Sequence, residues 1–140
     1  MLKLRRIHGH FERQNAGTFV VLGSGVGKTL VVGTMTHAFQ ACFGYEGLEG
    51  LFLKSKFFYA RYEALVVAEM SEDERAARSP EALTVRFNHV NFLQNEDWVA
   101  ATCLYVDMTT LSPESRGHIT RGCEKLLHQS VVIALSRPLV

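Results

Sequence analysis

LGSGVGKTLVVGTMT, residues 22–36, is the stretch on which the fold turns. Its Gly27-Lys28-Thr29 is the ending of a phosphate-binding loop. Such a loop needs glycine, four free residues and then Gly-Lys-Ser/Thr, so that successive backbone N–H groups curl round a phosphate ahead of a helix. Leu22 stands where the first glycine belongs, and counting from Gly23 leaves the loop one residue short. The sequel Thr29-Leu30-Val31-Val32-Gly33-Thr34 is rich in β-branched side chains and broken by a glycine, poor material for a helix. The stretch therefore reads as a glycine-rich hairpin turn, Ser24-Gly25-Val26-Gly27, running into a strand over 28–36, and nucleotide binding is disfavoured. Tyr105-Val106-Asp107 has the form of a strand ending in a metal-holding Asp, but apolar strands ending in Asp are common by chance.

Outward from the loop, residues 2–12 and 18–22 read as strands joined by a turn at Asn15-Ala16-Gly17. Gly44, Gly47 and Gly50 punctuate a loop, and residues 55–70 read as a helix first, with an alternating strand as the other reading. Alternation of Leu83, Val85 and Phe87 with Thr84, Arg86 and Asn88 marks a strand with one wet face over 82–93. Residues 98–108 and 131–135 read as further strands. Residues 112–130 stay open between strand and helix, with Ser112-Pro113-Glu114 resembling a helix start. The sum is an α+β fold, an antiparallel sheet of about five to six strands with one or two helices.

With 140 residues, the chain is long enough for a single core. A composition 47% hydrophobic and 21% charged is that of a folded protein. No run approaches the roughly 18 apolar residues of a membrane span, and no apolar segment follows the basic N-terminus as in a signal peptide, so no membrane partner and a cytoplasmic location are expected. Cys42, Cys103 and Cys123 lack the spacing of a disulfide framework and suit thiols in a reducing compartment. Lys3, Arg5, Arg6, Arg13 and Lys28 face only Glu12 in the first 35 residues. This basic segment lacks the interleaved aromatics of a nucleic-acid surface, so no nucleic-acid partner is expected. His8 and His10 share a strand face without a third ligand, and His118, Cys123 and His128 fit no common zinc spacing, so neither a metal nor a cofactor is implied.

Residues 43–63, FGYEGLEGLFLKSKFFYARYE, carry a further signal. With Asn91-Phe92-Leu93-Gln94, Glu96-Asp97-Trp98, Leu126-Leu127-His128-Gln129, the strand from Val131 to Leu135 and Arg137-Pro138-Leu139, they form a collinear series over residues 35–139. This series resembles the hot-dog-fold acyl-CoA thioesterases of the 4-hydroxybenzoyl-CoA type. The resemblance implies a basic β extension over 1–34 ahead of a hot-dog-like core over 35–140, its antiparallel sheet of about five to six strands wrapped around one long helix. It implies an acyl-thioester ligand and a homodimer or homotetramer with sites at the subunit interface. It also implies hydrolysis by water at a carbonyl polarised by a helix N-terminus. Glu46, Glu49 and Asn91 are then the candidates for activating or positioning water, and Gly50, Ser55, Phe58, Tyr59 and Tyr62 for binding substrate. An alternative is a non-enzymatic ligand-binding or signalling module of the PAS type, which the segments 17–21, 38–45 and 106–109 also resemble.

Overall fold

The computed structural model describes residues 17–37, 39–69, 71–73 and 83–135. The expected strand over 2–12 and the Arg137-Pro138-Leu139 segment lie outside them. In chain order come β1 (Thr18–Leu22), α1 (Lys28–Thr36), β2 (Ala41–Glu46), α2 (Glu49–Glu69), β3 (Thr84–His89), a 3-10 turn (Asp97–Ala100), β4 (Cys103–Asp107), α3 (Pro113–Cys123) and β5 (Val131–Leu135). The strands form one sheet in the order β3-β2-β1-β4-β5, and every pairing is parallel.

This corrects the antiparallel expectation, and with it both the hot-dog and the PAS-like architectures. The cause lies at residues 28–36, which are helix and not strand. Once α1 crosses from the end of β1 back to the start of β2, the two strands must run the same way. The long helix expected at 55–70 exists as α2, but it is the next crossover and packs on one face of the sheet, against β3 and β2. Ser112 does cap α3: its Oγ accepts from Ser115 N–H at 3.1 Å, with Pro113 in the first turn.

β1 lies at the centre, buried on both faces from Phe19 to Leu22, as a strand covered on both sides must be. On one face Phe19, Val21, Cys42 and Cys103 pack against Leu30 of α1. On the other Val20, Leu22, Leu104 and Val106 pack against Trp98 of the 3-10 turn and Ile119 of α3. Burial pushes the thiols of Cys42 and Cys103 up to about 12, so both are inert, and all three cysteines are free. No helix of the described residues is long and apolar enough to cross a membrane.

The helix α1 forms against its own propensities because the sheet covers it. Leu30, Val31 and Gly33 are buried, while the hydroxyls of Thr34 and Thr36 donate to Val31 and Val32 carbonyls at 2.7 and 2.9 Å. Gly33 lies so close to Phe19 that a Cβ there would fall inside the ring's contact distance. Alanine is the better helix former by about 1 kcal/mol, yet Gly33→Ala is expected to destabilise the protein by about 1–3 kcal/mol through overpacking. Urea unfolding measures this, and a stabilised variant would show that α1 is not held against β1.

Candidate functional site at the sheet's C-terminal edge

Register fixes what meets at this edge. Leu22 pairs with Tyr45 on one side and Val106 on the other, so the next residues, Gly23, Glu46 and Asp107, leave three adjacent strands at one level. Between β1 and β4 the chain order reverses, with α1 and α2 on one face and α3 on the other. Open parallel sheets bind their ligands in the crevice at that point, outside the carboxyl ends of the strands.

The loop from Gly23 to Gly27 lines the crevice. Gly23, Gly25 and Gly27 have φ of 66, 56 and 85°, the left-handed region that favours glycine. This path turns the chain sharply from β1 into α1 and keeps side chains off the crevice floor. Gly27 caps α1 without a side-chain bond, so the N–H groups of its first turn remain for a ligand, with Lys28 exposed beside them. Ser24 N–H donates to Tyr45 carbonyl at 3.0 Å, tying the loop to β2. Its hydroxyl is buried against Gly44 and has no partner.

Glu46 closes β2 and is only 6% exposed. Its Oε2 accepts from Gly25 N–H and its Oε1 from Leu48 N–H, both at 2.8 Å. The carboxylate thus fastens the glycine loop to the start of α2. Charge-assisted bonds of this length are the strong ones. The β3 exit runs alongside: Val90 N–H donates to Glu46 carbonyl at 3.1 Å, and Gly47 lies against Asn91. Phe92 follows and approaches Gly23. Across the edge, Asp107 Oδ1 accepts from the N–H and hydroxyl of Thr109 at 2.9 and 2.6 Å. The hydroxyl above all, then the N–H, holds its carboxyl below the usual carboxylate range, so Asp107 is ionised at neutral pH.

Of the residues singled out in the sequence, the structure brings Glu46 and Asn91 together at this edge. Asn91 Oδ1 accepts from Leu93 N–H at 3.0 Å, shaping the loop after β3. Glu49 and Gly50 open α2 nearby and are exposed. Ser55 is fully buried one turn further on, its hydroxyl donating to Phe52 carbonyl at 2.7 Å. Phe58, Tyr59 and Tyr62 run along α2 away from the edge, with Tyr59 packed on Phe87 at 5.9 Å between ring centroids. The Tyr59 and Tyr62 ring centroids lie 6.1 Å apart. Gly23, Gly25, Gly27 and Asp107 were the residues passed over. The signal for the glycines was an apolar strand followed by Gly-x-Gly-x-Gly, with the acid Glu46 21 residues beyond Gly25.

No protein-family model matches the chain, and no curated protein sequence does. Solved structures do. A SAM-dependent methyltransferase from Geobacter sulfurreducens, in complex with S-adenosyl-L-homocysteine, matches with a TM-score of 0.58 at 18% identity, over 94% of this chain and 46% of that one. A putative caffeoyl-CoA O-methyltransferase from Staphylococcus aureus matches at 0.58 and 17% identity, over 96% and 56%. An RNA methyltransferase from Salinibacter ruber, also with S-adenosyl-L-homocysteine, matches at 0.54 and 17% identity, over 94% and 72%. The chain spans about half the length of the first two. These neighbours overturn the acyl-thioester ligand, and with it the thioesterase reading. Identities this low speak for fold alone, and the fold is the Rossmann-like parallel sheet that these structures share.

Proposed function

We propose that this chain binds S-adenosylmethionine across the carboxyl ends of β1 and β2 and forms the donor-binding part of a methyltransferase. The observation that carries this reading is the buried Glu46 carboxylate held between Gly25 and Leu48 N–H groups. Each carboxylate oxygen has two lone pairs and spends one on those bonds, so each retains one for a hydroxyl. Vicinal ribose hydroxyls are the natural guest of an acidic residue about 20 positions beyond a glycine loop in this fold. The glycine loop lets a ligand lie against the backbone, and the first turn of α1 with Lys28 suits the carboxylate of an amino acid.

Charge separates this ligand from a dinucleotide. Glu46 and Asp107 place two carboxylates at the edge against Lys28, an arrangement that repels a pyrophosphate and favours a ligand bearing sulfonium and ammonium charges. When bound, the donor supplies an electrophilic methyl group. The chain's own residues fix the ribose at Glu46 and hold the loops after β1, β2 and β3 together around it. A cytoplasmic location, expected from unpaired cysteines, accompanies the reading.

Calorimetry tests it directly. S-adenosylmethionine and S-adenosylhomocysteine are expected to bind with dissociation constants of about 1–100 µM, within the usual range for enzyme substrates, and NAD and ATP not at all. Binding of NAD or ATP in preference to both would overturn the assignment.

A further inference from the structure

We infer that a cleft beside the edge strand β3, separate from the glycine-loop crevice, binds an alkyl guanidinium cation. Its volume is about 350 Å³, within the range of small-molecule sites. Tyr45 of β2 lines it together with Asn88 and Val90, and the loop beyond β3 adds Asn95 and Asp97. Tyr45 belongs to the core cluster that holds Trp98, and Val90 packs against the same cluster. Alternation along β2 turns Tyr45 to the face opposite its neighbour Glu46, so the cleft and the ribose carboxylate lie on different sides of the strand.

The Tyr45 hydroxyl is the group that points to a ligand. The residue is only 6% exposed, yet its hydroxyl has no hydrogen-bond partner among the described residues. Tyrosines so deeply buried ordinarily spend their O–H on a partner. Unlike the sealed Ser24 hydroxyl, that of Tyr45 still meets solvent, and the cleft is where it does so. Burial above all, then the charge of Asp97, holds the phenol above its ordinary pKa, so it is neutral at physiological pH.

Charge and acceptor count choose the guest. No Lys or Arg is among the described residues that line the cleft, and the ring of His89 is stacked on Phe52 of α2 at 5.1 Å between centroids. Asp97 thus brings a carboxylate without a cation. Its Oδ2 accepts from Asn95 Nδ2 at 3.0 Å, which leaves further lone pairs on both oxygens. The Asn88 amide also has no partner among the described residues. A guanidinium presents a planar fork of N–H donors that a carboxylate accepts in pairs, with donors to spare at its flanks. Asp97 takes the fork, and the oxygens of Tyr45 and Asn88 take the rest. An anion would be repelled by the same carboxylate.

Calorimetry on the full chain with agmatine tests this. Agmatine is expected to bind with a dissociation constant of about 10 µM to 1 mM, and uncharged butylurea at least about 10-fold more weakly. N-acetylarginine amide, run beside them, reads whether the cation is taken free or on a peptide. Asp97→Asn is expected to weaken agmatine about 10–100-fold and Tyr45→Phe about 3–10-fold. Because the Tyr45 hydroxyl bonds nothing in the fold, Tyr45→Phe should unfold in urea with an unchanged midpoint, which a purely structural role would not allow. Neither cation binding at about 10 mM, butylurea binding as tightly as agmatine, or wild-type affinity in both variants would each overturn the inference. So would displacement of agmatine by S-adenosylhomocysteine, which would make the cleft part of the donor crevice. A chain that binds agmatine but not S-adenosylhomocysteine would support the cleft and count against the donor reading.

Discussion

Glu46→Ala is expected to abolish binding of S-adenosylmethionine and to cost the fold about 2–4 kcal/mol, because two N–H groups lose a charged acceptor at once. Gly25 and Leu48 each donate to this side chain at 2.8 Å. Without it the glycine loop is held to β2 by the Ser24 N–H bond to Tyr45 carbonyl, which leaves the far end of the loop untethered. Glu46→Gln separates binding from folding. Its amide has nearly the same shape but a single acceptor oxygen, and its NH2 group points donors at an N–H. The variant should therefore fold while its affinity for the donor falls about 10–100-fold, or roughly 1.4–2.7 kcal/mol. Calorimetry and urea unfolding on the two variants measure both effects. Wild-type affinity in Glu46→Gln would remove the ribose from this carboxylate.

How much of this was legible in the sequence depends on where each residue's environment is set. Phe19-Val20-Val21-Leu22 and Val131-Val132-Ile133-Ala134-Leu135 are short apolar runs whose local preference agrees with their place, and both are strands. α1 is different. Thr29, Val31, Val32, Thr34 and Thr36 argue locally for a strand, and what overrides them is burial of Leu30 and Val31 against a sheet distant in sequence. That one misreading reversed the sense of the sheet, since a hairpin turn and a crossover helix dictate opposite pairings. The alternating β3 reinforced it. Half-wet alternation suggests an antiparallel sheet, but β3 is an edge strand of a parallel one and is only partly covered. The uninterrupted Val20-Val21-Leu22 was the truer sign, being the pattern of a strand buried on both faces.

The site was half legible for the same reason. Glu46 and Asn91 entered through the hot-dog resemblance, and both lie at the C-terminal edge of the sheet. The role assigned to them followed the wrong architecture. Gly23, Gly25 and Gly27 were weighed against one pattern, a triphosphate loop, and failed its count. Their positive φ angles and the 21-residue interval to Glu46 belong to the other glycine loop that parallel sheets use. Asp107, dismissed as a chance strand ending, is placed by the β1–β4 register beside the crevice.

Trp98→Ala is expected to be the most damaging single replacement outside the site, at about 3–5 kcal/mol for loss of a large buried aromatic. Trp98 is fully buried at the meeting of Leu104, Val106 and Ile119, and Gly122 of α3 has no room for a Cβ against its ring. Its effect reaches the crevice because the indole Nε1–H donates to Phe92 carbonyl at 3.1 Å, and Phe92 lies beside Gly23. Trp98→Phe keeps most of the packing but orphans that carbonyl and leaves a void. It should cost less, about 1–3 kcal/mol, yet still weaken donor binding by loosening the loop after β3. Urea unfolding followed by circular dichroism ranks the two variants, and calorimetry on Trp98→Phe reads the coupling. Wild-type affinity in a measurably destabilised Trp98→Phe would show that the core and the crevice are independent, and that Phe92 is placed by the loop's own bonds, such as Leu93 N–H to Asn91, and not by the tryptophan beneath it.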